Sequence, residues 1–252
     1  MSHKTGETVV VVGATGEMGR SICQSLVGAG YDVVAVARNQ ELLSDLTDAM
    51  PPIRGCAADI ADDSACAAIQ RCLQGPVRAL VHGPGVATAG GVLTAPTASV
   101  VEAVNIKVGG LMRLVRACDA HLVAGSRLIA IGGHYGFEPT AYAATAGVAN
   151  AALANLIRQY SWAYGTRGIT AHLIAPGPAD TPRLYRVAEA RAMRDGESLE
   201  QVLKTMRSES ALGEFTDVES VAWAVMTLLS PHANALAGST LFMDTGRRRG
   251  LP

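Results

Sequence analysis

Apolar residues along the chain alternate between short β-branched runs and longer stretches in which they recur every three or four positions. The run at 8–13 is a threonine followed by four valines and a glycine, and the stretch at 17–29 carries Met18, Ile22 and Leu26 at helical spacing. The same alternation predicts seven strands, at 8–13, 31–37, 53–58, 77–82, 127–132, 169–175 and 239–243. It predicts helices at 17–29, 41–49, 63–73, 99–122, 141–164 and 217–229. Strands that alternate with helices indicate an α/β fold, with a doubly wound parallel sheet covered by helices on both faces.

The chain has 252 residues, a length that fits one α/β domain with a substantial core. The most polar part of the chain, at 180–214, interrupts the alternation but still carries helical patterns. An interruption of this kind is typical of a lid over a ligand cleft. We therefore predict a single domain over 1–252 with a substrate lid at about 180–214. Two interpretations stay open for the lid arginines, contact with an anionic substrate or a solvated helix face: Arg183, Arg186, Arg191 and Arg194.

Composition and charge exclude several classes of protein. The formal net charge is −1 and no block of like charge occurs, which argues against nucleic acid or a membrane surface as the main partner. The arginine run at 247–249 is either a solvated tail or an anion-binding arm. No leader-like segment and no apolar run near 18 residues is found, so we expect a cytoplasmic protein. The five cysteines lack metal-ligand spacing and are expected to be free thiols, with no metal site: Cys23, Cys56, Cys66, Cys72 and Cys118.

A glycine-rich turn joins the first predicted strand to the first predicted helix. Gly13, Gly16 and Gly19 stand at GxxGxxG spacing, with Thr15 and Met18 between them. Glycine lets the backbone turn tightly and approach a pyrophosphate, whose charge the helix N-terminus favours. A glycine triplet at this place in a βα unit predicts a dinucleotide site far better than a triplet elsewhere, whereas an ordinary βα turn is the alternative.

The end of the second predicted strand indicates which dinucleotide binds. A carboxylate there would bind the ribose hydroxyls, but this chain has Arg38, flanked by Ala37 and Asn39. A guanidinium suits a 2′-phosphate, so NADP is predicted, with NAD as the alternative if Arg38 merely faces solvent. Asp59 and Ile60 follow the third predicted strand and are expected to meet the adenine.

These features together resemble the short-chain dehydrogenase/reductase family from about residue 8 to residue 246. The resemblance implies a single Rossmann-like domain with a seven-stranded sheet, a small carbonyl or alcohol substrate, and a homodimer or homotetramer built through two long helices. The markers are the glycine turn, Asp59, Gly85, Asn105, Tyr142, Pro176 and Gly177 followed by Thr181, and the closing Asp244-Thr245-Gly246. By the same resemblance, further cofactor contacts are expected at Gly83, Pro84, Gly85, Tyr142, Pro176, Gly177 and Thr181.

In that family a serine, a tyrosine, a lysine and an asparagine act together. The tyrosine exchanges a proton with the substrate oxygen, and the lysine lowers the tyrosine pKa and holds the nicotinamide ribose. Tyr142 and Asn105 match the family pattern. Ala146 stands four residues after the tyrosine, where the lysine is expected, and Gly133 stands where the serine is expected. The turn after the fourth strand also departs from the pattern, with His82 preceding Gly-Pro-Gly.

Without the lysine, an unperturbed tyrosine has a pKa of about 10 and stays protonated at neutral pH. Reduction uses the protonated phenol, so the chain is expected to reduce carbonyls slowly and to oxidise alcohols poorly. His134 could serve as a substitute donor to the substrate oxygen, or it could be a loop histidine bonded to backbone. Tyr135 is a weaker candidate, and His82 is expected at the pocket floor. Lys107 is not favoured as a replacement, because on a helix it would point about 200° away from Asn105.

Three functions follow from these observations. The first is an oxidoreductase that uses NADP(H) to reduce a carbonyl, with Tyr142 as the proton donor and Asn105 and His134 as further catalytic residues. The second is a catalytically impaired member that binds nucleotide and acts as a structural or regulatory partner. The third is a non-redox enzyme, such as a lyase or cyclase. The intact cofactor end favours the first, whereas Gly133 and Ala146 favour the others.

Overall fold

A computed structural model of the protein describes residues 6–87 and 90–250. Its seven strands are β1 Thr8–Val12, β2 Asp32–Ala37, β3 Ile53–Ala57, β4 Val77–His82, β5 Leu122–Ile131, β6 Thr170–Pro176 and β7 Thr240–Met243. All neighbouring pairs run parallel, in the order β3-β2-β1-β4-β5-β6-β7. The order reverses between β1 and β4, and ligands of such sheets bind at the carboxyl ends of the strands beside that reversal. The predicted α/β class and the doubly wound parallel sheet are confirmed.

Helices cover both faces of the sheet. They are α1 Glu17–Gly28, α2 Gln40–Ala49, α3 Ser64–Cys72, α4 Thr97–Val104, α5 Gly110–Cys118, α6 Ala144–Gly165, α7 Pro182–Asp195, α8 Leu199–Ser208 and α9 Val218–Leu228. Along β1, Val9 packs with Ile22 of α1 on one face, and Val10 packs with Leu111 of α5 on the other. A central parallel strand is therefore buried on both sides, which is why its sequence is a continuous valine run.

The single helix predicted at 99–122 is wrong, because this stretch is broken. Between α4 and α5, residues Asn105–Gly109 form a π-helical segment, in which the N–H of Gly110 donates to the carbonyl of Asn105 five residues earlier. A short 3₁₀ turn, Asp119–His121, follows α5, and β5 begins at Leu122. A π-helical segment changes the direction in which the following side chains point, and such segments are frequent at functional sites.

The helix predicted at 141–164 begins later than expected, since α6 starts at Ala144. Tyr142 therefore lies in the turn before α6 and not on the helix. The carbonyl of Ala141 accepts a hydrogen bond from the N–H of Val92, so it is already used where a helix starting at 141 would need it. Thr145 is held to the neighbouring loop, because its hydroxyl donates to the carbonyl of Ala87 at 2.9 Å.

The polar stretch at 180–214 contains α7 and α8, which enclose a small apolar cluster of their own. The cluster contains Leu184, Ala188 and Ala192 from α7 and Val202 and Met206 from α8. The ends of the predicted domain, 1–5 and 251–252, lie outside the described residues. Within the described ranges, no helix is both long and apolar enough to cross a bilayer.

Candidate active site

An outer cleft of about 480 Å³ lies at the carboxyl ends of the central strands, and the glycine turn forms its floor. Gly13 has a φ of +84°, and a Cβ there would come within 2.9 Å of the Gly83 carbonyl oxygen. A Cβ on Gly19 would come within 2.7 Å of the Cα of Ala14. Real side chains do not tolerate such distances. Gly13 is therefore required where the β1–α1 turn meets the turn after β4, and Gly19 where α1 meets the β1–α1 turn.

The outer cleft fits a dinucleotide. Gly16 precedes α1 and provides no side-chain cap, so backbone N–H groups at the N-terminus of α1 are open to an anion. Twelve of the predicted cofactor contacts line this cleft: Gly13, Thr15, Gly16, Met18, Gly19, Arg38, Asp59, Ile60, Gly83, Pro84, Gly85 and Thr181. Gly177 lines neither this cleft nor the cavity beside it, and it packs instead against Asp244.

One charged pair lies at the far rim of the outer cleft. Arg38 Nη1 is 3.9 Å from Asp59 Oδ2, and the two side chains are 71% and 46% exposed. An exposed pair at this separation holds the guanidinium weakly. Arg38 can therefore turn toward a 2′-phosphate, as its position at the end of β2 predicts.

An inner cavity of about 220 Å³ adjoins the outer cleft, and Met18, Thr181 and Arg183 line both. Its apolar wall comes from Val86 and from side chains of α7 and α8. The predicted residues that line it are Tyr142, His134, Tyr135 and Pro176, together with Gly133 and Ala146. The structure therefore brings the predicted proton donor into the space next to the dinucleotide cleft.

Tyr142 faces the inner cavity from the turn before α6. Its hydroxyl is 2.9 Å from the hydroxyl of Tyr135, and the two rings meet edge to face. Burial, and then the hydrogen bond with Tyr142, raise the pKa of Tyr135, so this phenol stays protonated at any physiological pH. The Arg191 guanidinium lies 5.8 Å from the centre of the Tyr142 ring, within the range of a cation–π contact.

His134 is buried, with 3% of its surface exposed. It is bonded to the carbonyl of Pro176, while its Nε2 has no partner among the described residues. Burial, followed by the charge of Arg247, lowers the pKa of His134 to about 4. The predicted loop histidine bonded to backbone is therefore present, and it is neutral at pH 7.

Asn105 lines neither the outer cleft nor the inner cavity. Its amide donates to the carbonyl of Ala61 at 3.0 Å, and its oxygen accepts from Arg113 at 3.0 Å. Lys107 instead lines the inner cavity, and its ammonium donates to the carbonyl of Ile131 at 2.7 Å. The two side chains point apart, as the helical spacing predicts, and it is Lys107, not Asn105, that reaches the inner cavity.

His82 lies behind Lys107 and lines neither space. It is fully buried, and its Nε2 is 3.1 Å from the carbonyl of Ile106. Burial, and then the charge of Lys107, lower the pKa of His82 to about 3. Neutral His82 therefore packs against the π-helical segment and does not exchange a proton with a ligand in the cavity.

The first turns of α6 present small or neutral residues to the inner cavity. Ala146 and Asn150, four residues apart on one helix face, both line it. A Cβ on Gly133 would come within 2.9 Å of the Asn150 amide nitrogen, so the two positions are packed together. The Oδ1 atom of Asn150 is buried without a partner among the described residues.

Sequence reasoning missed Lys107 and Asn150 as cavity residues, although the helical pattern carried a signal for Lys107. Arg183, for which contact with a substrate was one of two open interpretations, lines the cavity as well. Lys107 falls on the same stripe as buried Ala103, Leu111 and Leu114, so a lysine occupies a core-facing position. A charged residue on a buried stripe is rare and often functional. No comparable signal marks Asn150, since asparagine is common on exposed helix faces.

A family model described as enoyl-(acyl carrier protein) reductase matches residues 13–248. The chain belongs to the short-chain dehydrogenase/reductase family, and it is an oxidoreductase of that family with the Rossmann-like fold. It is 28% identical to L-xylulose reductase from Cavia porcellus over 255 residues, a match that covers 96% of each protein.

Solved structures share this fold over almost the whole chain. L-sorbose reductase from Gluconobacter frateurii, in complex with NADPH and L-sorbose, has a TM-score of 0.87 at 22% identity, covering 98% of each chain. An NADPH-bound short-chain oxidoreductase from Pseudomonas aeruginosa PAO1, described as containing an atypical catalytic center, has a TM-score of 0.86 at 21% identity. That match covers 97% of this chain and 98% of the other.

Proposed function

We infer that the protein uses NADPH to reduce a small-molecule ketone or aldehyde, with Tyr142 as the proton donor. One observation carries this inference. The Tyr142 hydroxyl, held 2.9 Å from that of Tyr135, faces a cavity that opens onto the glycine-floored outer cleft. A donor beside a dinucleotide cleft is the arrangement that carbonyl reduction requires.

NADP(H) is the proposed cofactor, and bound NADPH supplies the hydride that the carbonyl carbon accepts. Gly13, Gly16 and Gly19 give its phosphates access to the N-terminus of α1, and Arg38 stands where a 2′-phosphate would lie. The NADPH in the sorbose reductase and Pseudomonas structures supports the same choice. Thr181, at the border of the two spaces, is the proposed contact for the nicotinamide end.

The proton comes from the chain. In the proposed step the Tyr142 hydroxyl donates to the carbonyl oxygen as the carbon is reduced, so the C=O becomes CH–OH. Tyr135 remains protonated and orients the Tyr142 hydroxyl through their shared hydrogen bond. A protonated phenol is enough for reduction, whereas alcohol oxidation needs a phenolate, so reduction is the proposed direction.

The proposed substrate is small and partly apolar. Leu184, Val187 and Met206 from α7 and α8 line the inner cavity. These helices would exclude water as a lid when substrate binds. L-xylulose reductase and L-sorbose reductase make ketoses the first compounds to test, followed by simple ketones, diketones and enones.

Assembly through the long helices stays a prediction. Exposed apolar side chains on α4 and α6 support this prediction, namely Val101 on α4 and Val148 and Trp162 on α6. Patches of this kind frequently pair with a second copy of the same chain. Light scattering on the purified protein, which should give a dimer or tetramer mass, tests it.

The test of the proposed function is NADPH oxidation, followed at 340 nm, across this carbonyl panel. Tyr142→Phe should lower kcat by about 10²–10³-fold and leave the NADPH dissociation constant unchanged, because only the donor is lost. Tyr135→Phe removes the same atom from the neighbouring ring and should cost less than about tenfold. Unchanged turnover in Tyr142→Phe would contradict the proposed donor. Tight NADPH binding by wild type without turnover of any carbonyl would contradict the proposed reaction.

A further inference from the structure

Lys107 is a buried cation that has no role in the proton transfer from Tyr142. Only 6% of its surface is exposed, and it lines the inner cavity together with Tyr142. Its ammonium donates to the carbonyl of Ile131 at the end of β5. An ammonium carries three N–H donors, so this one bond leaves the others to point toward whatever enters the cavity.

No carboxylate compensates this charge. The inner cavity is lined by no aspartate or glutamate among the described residues. The titratable groups that face Lys107 are His82 on β4, Arg183 on α7, Tyr142 before α6, and His134 and Tyr135 after β5. The histidines are neutral at pH 7, and Arg183 repels the ammonium, so the cavity carries net positive charge.

A buried cation without a counterion destabilises a fold, so a chain that keeps one is expected to use it for another purpose. The segment that contains Lys107 is π-helical, a rare form of helix that is frequent at functional sites, and Lys107 is the buried residue of this segment. Both observations indicate a positive potential retained for a ligand. The ligand must present an oxygen that becomes more negative in the reaction, as a carbonyl oxygen does when its carbon is reduced.

We propose that Lys107 is a catalytic residue whose ammonium contacts the substrate's carbonyl oxygen from the β5 side while Tyr142 donates the proton. This role rests on the proposed carbonyl reduction. The cation that α6 does not present to the cavity comes instead from the π-helical segment between α4 and α5. The ammonium keeps its own protons: it stabilises the negative charge that develops on the oxygen, and the phenol supplies the proton that forms the alcohol.

Burial, and then the charge of Arg183, lower the pKa of Lys107 to about 7. The ammonium is therefore the main form below pH 7 and the neutral amine the main form above it. Since only the ammonium stabilises an oxyanion, kcat/KM for reduction should fall as pH rises through about 7. An arginine at this position would stay charged and would remove that fall.

The first experiment titrates Lys107 directly, without cofactor or substrate. The chain has three lysines, so ¹³Cε-lysine NMR gives few resonances, and Lys107→Met identifies the one that matters. We expect it to titrate near pH 7. Titration in the ordinary lysine range, near 10.4, would overturn the inference whatever the protein turns over.

The second experiment measures kcat/KM against pH with NADPH and the best carbonyl of the panel. Lys107→Met should lose about 100-fold at pH 6.5 and keep its NADPH dissociation constant within about threefold. Lys107→Arg should retain part of the activity and lose the fall above pH 7. The control Lys204→Met removes an exposed lysine of α8 and should behave as wild type. Far-UV circular dichroism checks that each variant is folded.

The outcomes separate the two proposals. Lys107→Met that keeps the wild-type rate and pH profile, while Tyr142→Phe is inactive, would overturn the role of Lys107 and leave the proposed reaction intact. Wild type without turnover of any carbonyl would overturn both.

Discussion

The outer cleft and the inner cavity adjoin each other but are built from different chemistry. The outer cleft is shaped by backbone: Gly13 allows the turns after β1 and β4 to touch, and Gly19 allows α1 to pack against the turn after β1. The inner cavity is shaped by buried titratable side chains, among them His134 and Lys107. Backbone N–H groups do not titrate, so binding in the outer cleft should depend little on pH. The inner cavity should respond to pH, because burial has moved the pKa values of its groups.

This contrast follows from what each space does. A dinucleotide presents the same phosphates to every enzyme that binds it, and a glycine turn at a helix N-terminus fits them. A reacting carbonyl oxygen becomes more negative during the step, and donors and cations already held beside it stabilise that charge. Substitutions in the outer cleft should therefore act on affinity, and those in the inner cavity on rate and on pH dependence.

The largest effect is expected at Gly19 in the outer cleft. Gly19→Ala places a methyl group against the backbone of Gly13 and Ala14, which must move for it to fit. We expect at least a 100-fold loss of NADPH affinity, about 3 kcal/mol, because the N-terminus of α1 shifts away from the phosphates. Fluorescence titration with NADPH measures it.

Gly28→Ala is the matched control, since it is the same substitution on the same helix. A Cβ there meets no atom within 4 Å. NADPH affinity should stay at the wild-type value, and stability should rise by about 0.5–1 kcal/mol because alanine favours helix. Equal losses in the two variants would mean that the glycine turn does not shape the site.

The contrast also explains which part of the molecule could be predicted from sequence. The valine run of β1 predicts a buried strand, and the spacing of Ile22 and Leu26 predicts a helix that packs against it. The glycine turn lies between the two, at its expected place in the βα unit. Each of these signals is local, so neighbouring residues are enough to interpret it. The sheet class therefore followed from the sequence, and twelve of the residues predicted to bind the cofactor line one cleft.

The inner cavity depends on irregular backbone, which local periodicity does not reveal. The π-helical segment interrupts the helix predicted at 99–122, and within it the Asn105 side chain bonds to Ala61 and does not reach the cavity. The start of α6 at Ala144 is also not indicated by local periodicity. It follows from a hydrogen bond between Val92 and Ala141, which are far apart in sequence.

A second prediction concerns acid stability and the inner cavity. The pKa of His134 is lowered to about 4, whereas an unfolded histidine titrates near 6.5. Between these values the unfolded chain binds a proton that the folded chain does not, so the free energy of unfolding falls as pH falls. His134→Gln should remove about 2 kcal/mol of the loss between pH 6.5 and pH 4.5.

Urea unfolding at pH 6.5, 5.5 and 4.5 measures this difference. His232→Gln, which replaces an exposed histidine, serves as the control and should keep the wild-type dependence on pH. If His134→Gln also keeps it, His134 is not held neutral by burial, and the contrast between the two spaces weakens.

The smallest effect is expected at the rim of the outer cleft, and it tests the choice of cofactor. Arg38→Ala removes the guanidinium proposed to bind the 2′-phosphate, so NADPH should bind about tenfold more weakly while NADH is unaffected, a change of about 1.4 kcal/mol. The effect is modest because Arg38 is 71% exposed and its charge is screened by solvent. Arg71→Ala removes the same charge from an exposed position on α3 that lines neither space, and it should change the affinity for neither NADPH nor NADH.

Asp59→Asn should act in the opposite direction to Arg38→Ala and strengthen NADPH binding. It removes the carboxylate that lies 3.9 Å from the Arg38 guanidinium and would repel the 2′-phosphate. If Arg38→Ala weakens the binding of NADH as much as that of NADPH, Arg38 stabilises the cleft but does not bind the 2′-phosphate. The preference for NADP must then come from another residue of the rim.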